Sequence, residues 1–422
     1  MTKRPTVGAH PYTMHNRIQN YAWGTRGDDA YIPRLLGMPA EPDLPYAELW
    51  LGAHAKAPSD VTLPGGALLA LGDLIEADPE AALGEAVQRQ HGQLPFLLKV
   101  LSAGQSLSIQ AHPTKAQAQA LHRDDPEHYP DANHKPEIAV ALDRLDALVG
   151  FRPIDQLART LNRHPEIADF VGREPVARLI DGRGAPTGIQ SSLVRDIFAA
   201  LIQRATETPD MLARTTGALA TRLRAQHGHL TEHEQLFLEQ TARYGAADVG
   251  LLALFLLNIA HLEAGEGIFT AAGVPHAYLG GNIIECMANS DNVVRVGLTP
   301  KFRDAAVLLN IADTHPGLPE ILPGTRAPYS SGALLARYAV PTPEFMLEFW
   351  RVPEGTTAPL ATHAGPGVLL VLDGSVSLEW ASAGEVYAKG ASAFLPACLG
   401  QCTATGTTDA QVVLAMVPGV SP

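Results

Sequence analysis

Four residues in three separate segments have side chains that commonly bind transition metals. Gln110 and His112 lie two positions apart in "SLSIQAH", whose alternation predicts a strand with both side chains on one face. Glu137 lies in "NHKPEI", and His276 ends "GEGIFTAAGVPH", a glycine-rich turn at a predicted strand edge. Two imidazoles, a carboxylate and an amide oxygen suit Zn²⁺ best, with Mn, Fe, Co and Ni as competitors. A site of this kind, without cysteine ligands and with room for water or substrate, is typical of catalysis.

Each of these signals is weak when taken alone. The chain has 16 histidines, most of which should be solvated or satisfied by ordinary hydrogen bonds, and His134 is a further candidate ligand beside Glu137. The combination is more informative: a strand with Gln-x-His, a short strand carrying Glu, and a glycine-rich strand carrying His. That order is the pattern of a metal site in a cupin, a small β-barrel, with Gln110 in place of the first histidine.

The elements that would position these side chains fall into four blocks. Up to about Gly150, short apolar runs separated by Gly, Pro and Asp predict strands with a few helices. From Ile154 to about Glu263, apolar residues at helical spacing predict a helical block. Within it, "VGLLALFLLNIAHLEAG" at 249–265 is apolar on nearly all sides and predicts a buried helix ending near Gly265. Strand patterns then return, with a predicted linker at 323–331 and short strands from about Ala333 onward.

These blocks predict a mainly β protein with a helical domain. The predicted division is a catalytic metal-binding β domain formed by 1–153 and 264–325, an inserted α-helical domain at 154–263, and a C-terminal β domain at 326–422. The C-terminal domain has His363 but no Gln-x-His or paired acid, so no metal is expected there. It is interpreted as a relic of a duplicated barrel or as an interaction surface.

Composition excludes several classes of protein. The 422 residues are 46% hydrophobic and 18% charged, which is typical of a globular protein, and the net charge of −13 without a basic tract argues against nucleic acid or an anionic membrane as partner. The longest apolar run is too short to span a bilayer, and three cysteines cannot form a disulfide framework. The first residues lack the apolar core of a signal peptide. We therefore expect a soluble cytoplasmic protein, with a monomer favoured.

Several longer segments resemble a known enzyme family. "YPDANHKPE" at 129–137 and "HAYLGGNIIECMANSDNVVRVGLTPK" at 276–301 resemble the two signatures of type I mannose-6-phosphate isomerases. "IQNYAWG", "AELWLGAHAKAPS" and "PFLLKVLSAGQSLSIQAHP" resemble further blocks of that family. One departure is Val296, where the family usually has alanine, and packing should tolerate it. The resemblance covers the β parts to about Asp304; the helical block and the C-terminal domain match in position and character.

The resemblance implies a fold, a reaction and a cofactor. The fold would be two cupin-type jelly-roll β domains with an inserted α-helical domain. The reaction would interconvert mannose 6-phosphate and fructose 6-phosphate through an enediolate, with one Zn²⁺ per chain. Carried over residue by residue, the metal ligands are the four already assembled from the sequence, Gln110, His112, Glu137 and His276.

The proton transfer in such an isomerase needs a group whose neutral form is accessible near neutral pH. Lys135, two residues before Glu137, should share its strand face, where a metal cation and partial burial favour the neutral amine. The resemblance also points to Lys135, and a role on phosphate or on the surface is the alternative. His134 and Asp291 resemble residues proposed for ring opening in the family, and a structural turn or cap role for Asp291 is the alternative.

The substrate phosphate requires basic or hydroxyl partners away from the reacting carbons. Arg295, Lys301 and Ser108 are the candidates, and Arg295 could instead stabilise the enediolate. Trp23 is a candidate wall of the sugar pocket, with core packing as the alternative.

Two other functions are weighed against this reading. A metal-dependent cupin acting on or binding a different sugar phosphate, or performing oxidation, is one; iron-type cupins tend to use more histidines and no Gln. A non-catalytic sugar-binding cupin is the other, and the presence of Lys135, Asp291 and Arg295 argues against it.

Overall fold

Helix and strand occur in nearly equal amounts in the computed structural model, which describes residues 6–226, 228–361 and 365–419. Helices make up 33% and strands 32%, and the ladders between the strands are antiparallel. The expectation of a mainly β protein is therefore corrected to a mixed one. Helices form within 154–263 as predicted, and the described residues 6–150 contain five more α-helices that the spacing of Gly and Pro only partly revealed.

The first part of the chain alternates short strands and short helices. In order these are β1 Tyr12–His15, β2 Arg17–Gln19, α1 Tyr31–Leu36, β3 Glu48–Leu51, β4 Asp60–Thr62, β5 Leu68–Ala70, α2 Leu71–Ala77, α3 Pro79–Leu83, α4 Glu85–His91, β6 Phe96–Ala103, β7 Ile109–Ala111, α5 Lys115–Asp124, β8 Glu137–Ala141 and β9 Leu145–Phe151. The predicted strand around Gln110 is thus only three residues long, and His112 follows its last residue.

A helical block follows, as the periodicity predicts. Its helices are α6 Ile154–Arg163, α7 Pro165–Val171, α8 Arg173–Asp181, α9 Thr187–Glu207, α10 Pro209–Ala225, α11 Glu232–Tyr244 and α12 Gly250–Ala253. The prediction of a buried helix at 249–265 is wrong beyond the first turn. After α12 and a 3₁₀ turn, Leu254–Leu256, the chain forms strand β10, Leu257–Leu262, paired with β9. A run that is apolar on all sides does not distinguish a buried helix from a buried strand.

The rest of the chain is mostly strand. It comprises β11 Gly267–Thr270, β12 His276–Ala288, β13 Val294–Gly297, α13 Ala305–Ile311, β14 Ile321–Leu322, β15 Thr325–Pro328, β16 Leu334–Tyr338, β17 Met346–Val352, β18 Thr357–Ala361, β19 Gly367–Asp373, β20 Ser375–Trp380, β21 Ala383–Ala388, β22 Ser392–Leu395, β23 Gln401–Gly406 and β24 Ala410–Met416. The predicted linker at 323–331 therefore contains a strand, β15. His363, considered above, lies outside the described residues.

Three sheets organise these strands. An eleven-stranded sheet runs β14-β11-β8-β12-β6-β3-β2 and includes β7, β9, β10 and β13; a four-stranded sheet runs β18-β23-β20-β21. A nine-stranded sheet runs β15-β16-β17-β24-β19-β22-β1-β4-β5, so strands from both ends of the chain pair, with Tyr12 opposite Phe394. No sequence pattern predicts this pairing, and the division into 1–153 with 264–325, 154–263 and 326–422 stays a prediction.

Strand β6 shows how the sheets enclose the site. Leu98 and Val100 face a core shared with strands of the nine-stranded sheet, including Leu370 and Val413. Leu101 faces the opposite way, into a core lined by strands of the eleven-stranded sheet, here called the first β unit. The strands from β15 onward are called the C-terminal β unit. Both faces of β6 are buried, and functional side chains can therefore lie in a dry interior. Among the described helices none is both long and apolar enough to cross a membrane.

Candidate metal centre

Strand register brings the predicted ligands from distant segments side by side. In the ladder of β7 and β12, Gln110 lies opposite His276, although the two are far apart in sequence. On its other side Gln110 lies opposite Arg295 of β13. Residues opposite one another in neighbouring strands project from the same face of the sheet, so Gln110 lies between His276 and Arg295 on that face.

Three of the four predicted ligands form a compact cluster. The ligand atoms of His112, Glu137 and His276 all lie within 4.8 Å of one another, and all three side chains are buried. His276 Nε2 is 2.7 Å from Glu137 Oε1, and His112 Nε2 is 3.5 Å from Glu137 Oε2. None of these four atoms has a hydrogen bond of acceptable geometry to the described residues. Buried polar atoms without partners are costly, and an ion among them would satisfy all four.

The outer nitrogens of both histidines fix the orientation of the rings. His112 Nδ1 is 2.8 Å from the carbonyl oxygen of Asn292, and His276 Nδ1 is 2.9 Å from that of Val274. A carbonyl only accepts, so each Nδ1 carries the hydrogen and each Nε2 presents its lone pair to the cluster. Burial, and next the charge of Lys135, lower the pKa of His112 to about 4, which keeps the imidazole neutral. Neutral imidazole is the form that binds metals.

Glu137 is ionised in this setting. Burial alone would raise its pKa, but the positive charge of Lys135 and the interactions with His276 and His112 hold the pKa well below its ordinary value. Lys135 precedes β8 and does not lie on the strand itself, yet its Nζ is 3.7 Å from Glu137 Oε2. The residue is only 8% exposed. The cluster therefore combines a carboxylate, two imidazoles and an adjacent amine, a donor set that fits a divalent ion such as Zn²⁺.

Comparisons with known proteins decide the family. A family model described as "Phosphomannose isomerase type I, catalytic domain" matches residues 12–154. Mannose-6-phosphate isomerase 2 of Arabidopsis thaliana is 36% identical over 405 residues, covering 93% of this chain and 90% of that protein. The chain belongs to the mannose-6-phosphate isomerase family. The enzyme from Mus musculus is 35% identical over 370 residues, covering 85% of this chain and 86% of that protein.

Solved structures of this isomerase family have the same fold. A variant of phosphomannose isomerase from Salmonella typhimurium superposes with a TM-score of 0.81 at 30% identity, covering 96% of this chain and 99% of that one. A zinc-bound mannose 6-phosphate isomerase matches with a TM-score of 0.79, also at 30% identity and over the same shares of the two chains. As a member of this family the chain is an enzyme, an aldose–ketose isomerase.

The two residues expected to open the sugar ring contact other side chains. His134 Nε2 is 2.7 Å from Oε1 of Glu344, a residue of the C-terminal strand region. Asp291 Oδ2 is 2.9 Å from Lys56 Nζ and 3.6 Å from His54 Nε2. Burial lowers the pKa of His54, and Asp291 partly opposes that shift. Asp291 is therefore part of a polar group that includes "AHAK", a segment without a predicted role.

The candidates for phosphate and sugar binding are distributed around β7, β13 and the segments that contain Tyr21 and Lys301. Ser108 directly precedes β7. Lys301 Nζ is 5.8 Å from the ring centroid of Tyr21, and the Tyr21 ring stacks on Trp23 at 5.9 Å. Partial burial and then the charge of Arg295 lower the pKa of Lys301, and burial lowers the pKa of Arg295. The two cations are thus electrostatically coupled in a setting that favours an anion.

Arg295 also borders open space. It lines a cavity of about 540 Å³ between α9, α10 and the segment following β13. Residues of the helical block therefore share a cavity with the candidate residue Arg295, a contact that the sequence did not predict.

The structure also contains a buried charged network beside the cluster, which the sequence patterns did not predict. Lys99 Nζ is 3.1 Å from Glu285 Oε2 and 3.5 Å from Glu48 Oε2, and it lies 5.1 Å from the ring centroid of Trp50. Burial alone would lower the pKa of Lys99, but Glu48, Glu285 and Glu137 together raise it above its ordinary value. The sequence signal was a lone charge inside an apolar strand, as in "PFLLKVLSA" and "NIIECMA". Such charges are rare in a core unless paired.

Proposed function

We propose that the chain interconverts mannose 6-phosphate and fructose 6-phosphate with one zinc ion bound per chain. The observation that carries this proposal is the buried cluster of His112, Glu137 and His276, whose facing atoms have no hydrogen-bond partners among the described residues. The names of the curated relatives supply the reaction, and a structural relative is described as zinc-bound.

Four residues would hold the zinc ion: Gln110, His112, Glu137 and His276. Gln110 is supported by its register, because it lies opposite His276 in the sheet. Since three ligands are neutral and one is anionic, the bound ion keeps a net positive charge. When bound, zinc would supply Lewis-acid polarisation of the substrate carbonyl.

Lys135 is proposed to move the proton between C2 and C1. Its Nζ lies next to the carboxylate of Glu137, in a buried position from which bulk water is largely excluded. A neutral amine takes the proton from C2 of the open-chain aldose, and the ammonium returns it to C1 of the enediolate. General acid–base catalysis of this kind contributes about 10²–10⁴-fold to a rate.

The remaining site residues are proposed to open the ring and to bind the anionic parts of the substrate. His134 and Asp291 would open the ring. Arg295 and Lys301 would bind phosphate together with Ser108, unless Arg295 serves the enediolate, and Trp23 would form a pocket wall. The effect of the Arg295 charge on the pKa of Lys301 indicates that the two cations lie near each other, which supports their anion-binding role. Phosphate contacts remote from the reacting carbons also position the sugar for chemistry.

We further propose the finer architecture and setting that the sequence suggested. The antiparallel sheets would form two cupin-type jelly-roll domains, with the helices from α6 to α12 as an insertion. The protein would act as a cytoplasmic monomer on a small sugar phosphate in mannose metabolism. The acidic net charge of −13 supports the absence of a nucleic-acid or membrane partner.

A coupled assay for fructose 6-phosphate tests the proposed function. The chain should convert mannose 6-phosphate at least ~10³-fold more efficiently, in kcat/KM, than unphosphorylated mannose, because the binding energy of the phosphate offsets the cost of orienting the sugar. Other hexose 6-phosphates serve as comparison substrates. Turnover of a different sugar phosphate in place of mannose 6-phosphate would overturn the assignment and favour the alternative of another sugar phosphate.

A further inference from the structure

A hydrogen bond joins the candidate ring-opening residue to the far end of the chain. His134, in the segment before β8, has its Nε2 2.7 Å from Oε1 of Glu344, and the two residues are 210 positions apart. Glu344 lies just before β17 of the nine-stranded sheet and is only 7% exposed. A buried carboxylate from one β unit thus contacts a half-buried imidazole of the other.

The loop that carries Glu344 is held firmly. The hydroxyl of Thr342 donates to Oε2 of Glu344, and Thr342 N donates to the carbonyl of Val340 at 2.8 Å. The next residue, Phe345, is fully buried in the core shared by the two β units. The position of the carboxylate is therefore fixed by packing and not by the His134 contact alone.

The charge of Glu344 determines which nitrogen of His134 carries the hydrogen. Burial alone would raise the pKa of Glu344, but hydrogen bonds from His134 and Thr342 lower the pKa below its ordinary value. An ionised carboxylate only accepts, so Nε2 must be the donor and the lone pair of neutral His134 lies on Nδ1. No hydrogen bond links Nδ1 to another side chain or carbonyl in the described parts of the chain. Nδ1 is thus available as a base.

We propose that Glu344 is a positioning residue that makes His134 competent for ring opening, so that the C-terminal β unit completes the active site. This inference rests on the proposed function. In the step, Nδ1 takes the proton of the anomeric hydroxyl, the C1–O1 double bond forms and the C1–O5 bond breaks. The imidazolium then delivers the proton to O5, and no proton is consumed overall. Glu344 orients the ring and stabilises the imidazolium while it exists.

Glu344→Gln tests the inference because it keeps the volume and removes the charge. We expect kcat to fall roughly 10–10²-fold, as for weakened acid–base catalysis, with unchanged zinc content and circular dichroism. The decisive readout is the primary isotope effect with C2-deuterated mannose 6-phosphate. Slower ring opening would mask proton transfer and shrink this effect toward unity, whereas a loss of folded protein would leave it unchanged. If the variant fails to fold, Glu344→Asp, whose carboxylate is too short to reach Nε2, is judged by the same criteria.

Two further variants separate a positioning role from a structural one. Glu348→Gln is the matched control, because Glu348 is a buried carboxylate of β17 paired with Arg337 at 2.6 Å and has no contact with His134. It should keep the wild-type kcat and isotope effect. Adding Glu344→Gln to His134→Gln should cause little further loss, since both changes remove one function.

The outcomes distinguish this inference from the proposed function. A wild-type kcat and isotope effect in Glu344→Gln, or fully additive losses with His134→Gln, would overturn the inference alone. Inactivity of the unaltered chain on mannose 6-phosphate would overturn the proposed function and the inference with it.

Discussion

Lys135→Met is expected to abolish nearly all turnover while leaving zinc in place. Methionine fills the space of the lysine stem, which is buried, but has no amine to take the proton from C2. The loss in kcat should be about 10²–10⁴-fold, with little change in KM, because the amine acts in the transition state. The measurement is the coupled assay on mannose 6-phosphate together with elemental analysis of bound zinc.

The control for this variant is a lysine remote from the site. Lys389 is half-exposed and lies 3.2 Å from Asp373 in the C-terminal strands. Lys389→Met should therefore retain full turnover and full zinc content. Normal turnover in Lys135→Met would remove Lys135 from the mechanism, and loss of zinc from that variant would make its role structural.

His112→Ala is expected to lose bound zinc, and with it both activity and stability. The Nε2 of this ring has no hydrogen-bond partner among the described residues, and Nδ1 is fixed by the carbonyl of Asn292, so the ring is preset to bind a metal. Loss of a group that only orients a metal ligand weakens metal affinity by up to ~100-fold. Removing a direct ligand should therefore weaken zinc affinity by at least that much. A bound metal also stabilises the folded state, so the variant should unfold at lower temperature. Zinc per chain after dialysis and the melting temperature are the measurements.

A partly buried histidine provides the matched control. Burial, and next the charge of Arg152, lower the pKa of His233 to about 4, a value like that of His112, but its Nε2 bonds the carbonyl of Leu257, the first residue of β10. His233→Ala should destabilise the fold by about 1–3 kcal/mol, the cost of leaving a buried acceptor unpaired, and keep its zinc. Full zinc content in His112→Ala would contradict the ligand assignment.

Local sequence patterns predict most of the strands and turns that position the candidate ligands. Alternation in "SLSIQAH" put Gln110 and His112 on one face, and the glycine-rich segment before His276 indicated a strand edge. The structure brings His112, Glu137 and His276 together as expected. The strand itself is shorter than predicted, because alternation shows which face a side chain takes and not how far the ladder extends.

What the sequence missed depends on contacts between distant segments. The pairing of β1 with β22 and the bond of His134 to Glu344 join residues hundreds of positions apart, for which a local pattern carries no information. The sequence does not reveal the pairing of Lys99 either, because its partners Glu48 and Glu285 lie on β3 and β12. At 249–265 the sequence predicts a helix where β10 forms, because uniform burial removes the periodicity that distinguishes a helix from a strand.

A metal bound by Gln110, His112, Glu137 and His276 is proposed to be required for isomerisation of mannose 6-phosphate. The most direct test is the coupled assay on protein freed of metal by a chelator, before and after addition of one equivalent of Zn²⁺. We expect turnover to vanish in the metal-free protein and to return with Zn²⁺, and the His112→Ala protein to stay inactive under the same addition. Full turnover of the metal-free chain would contradict the account.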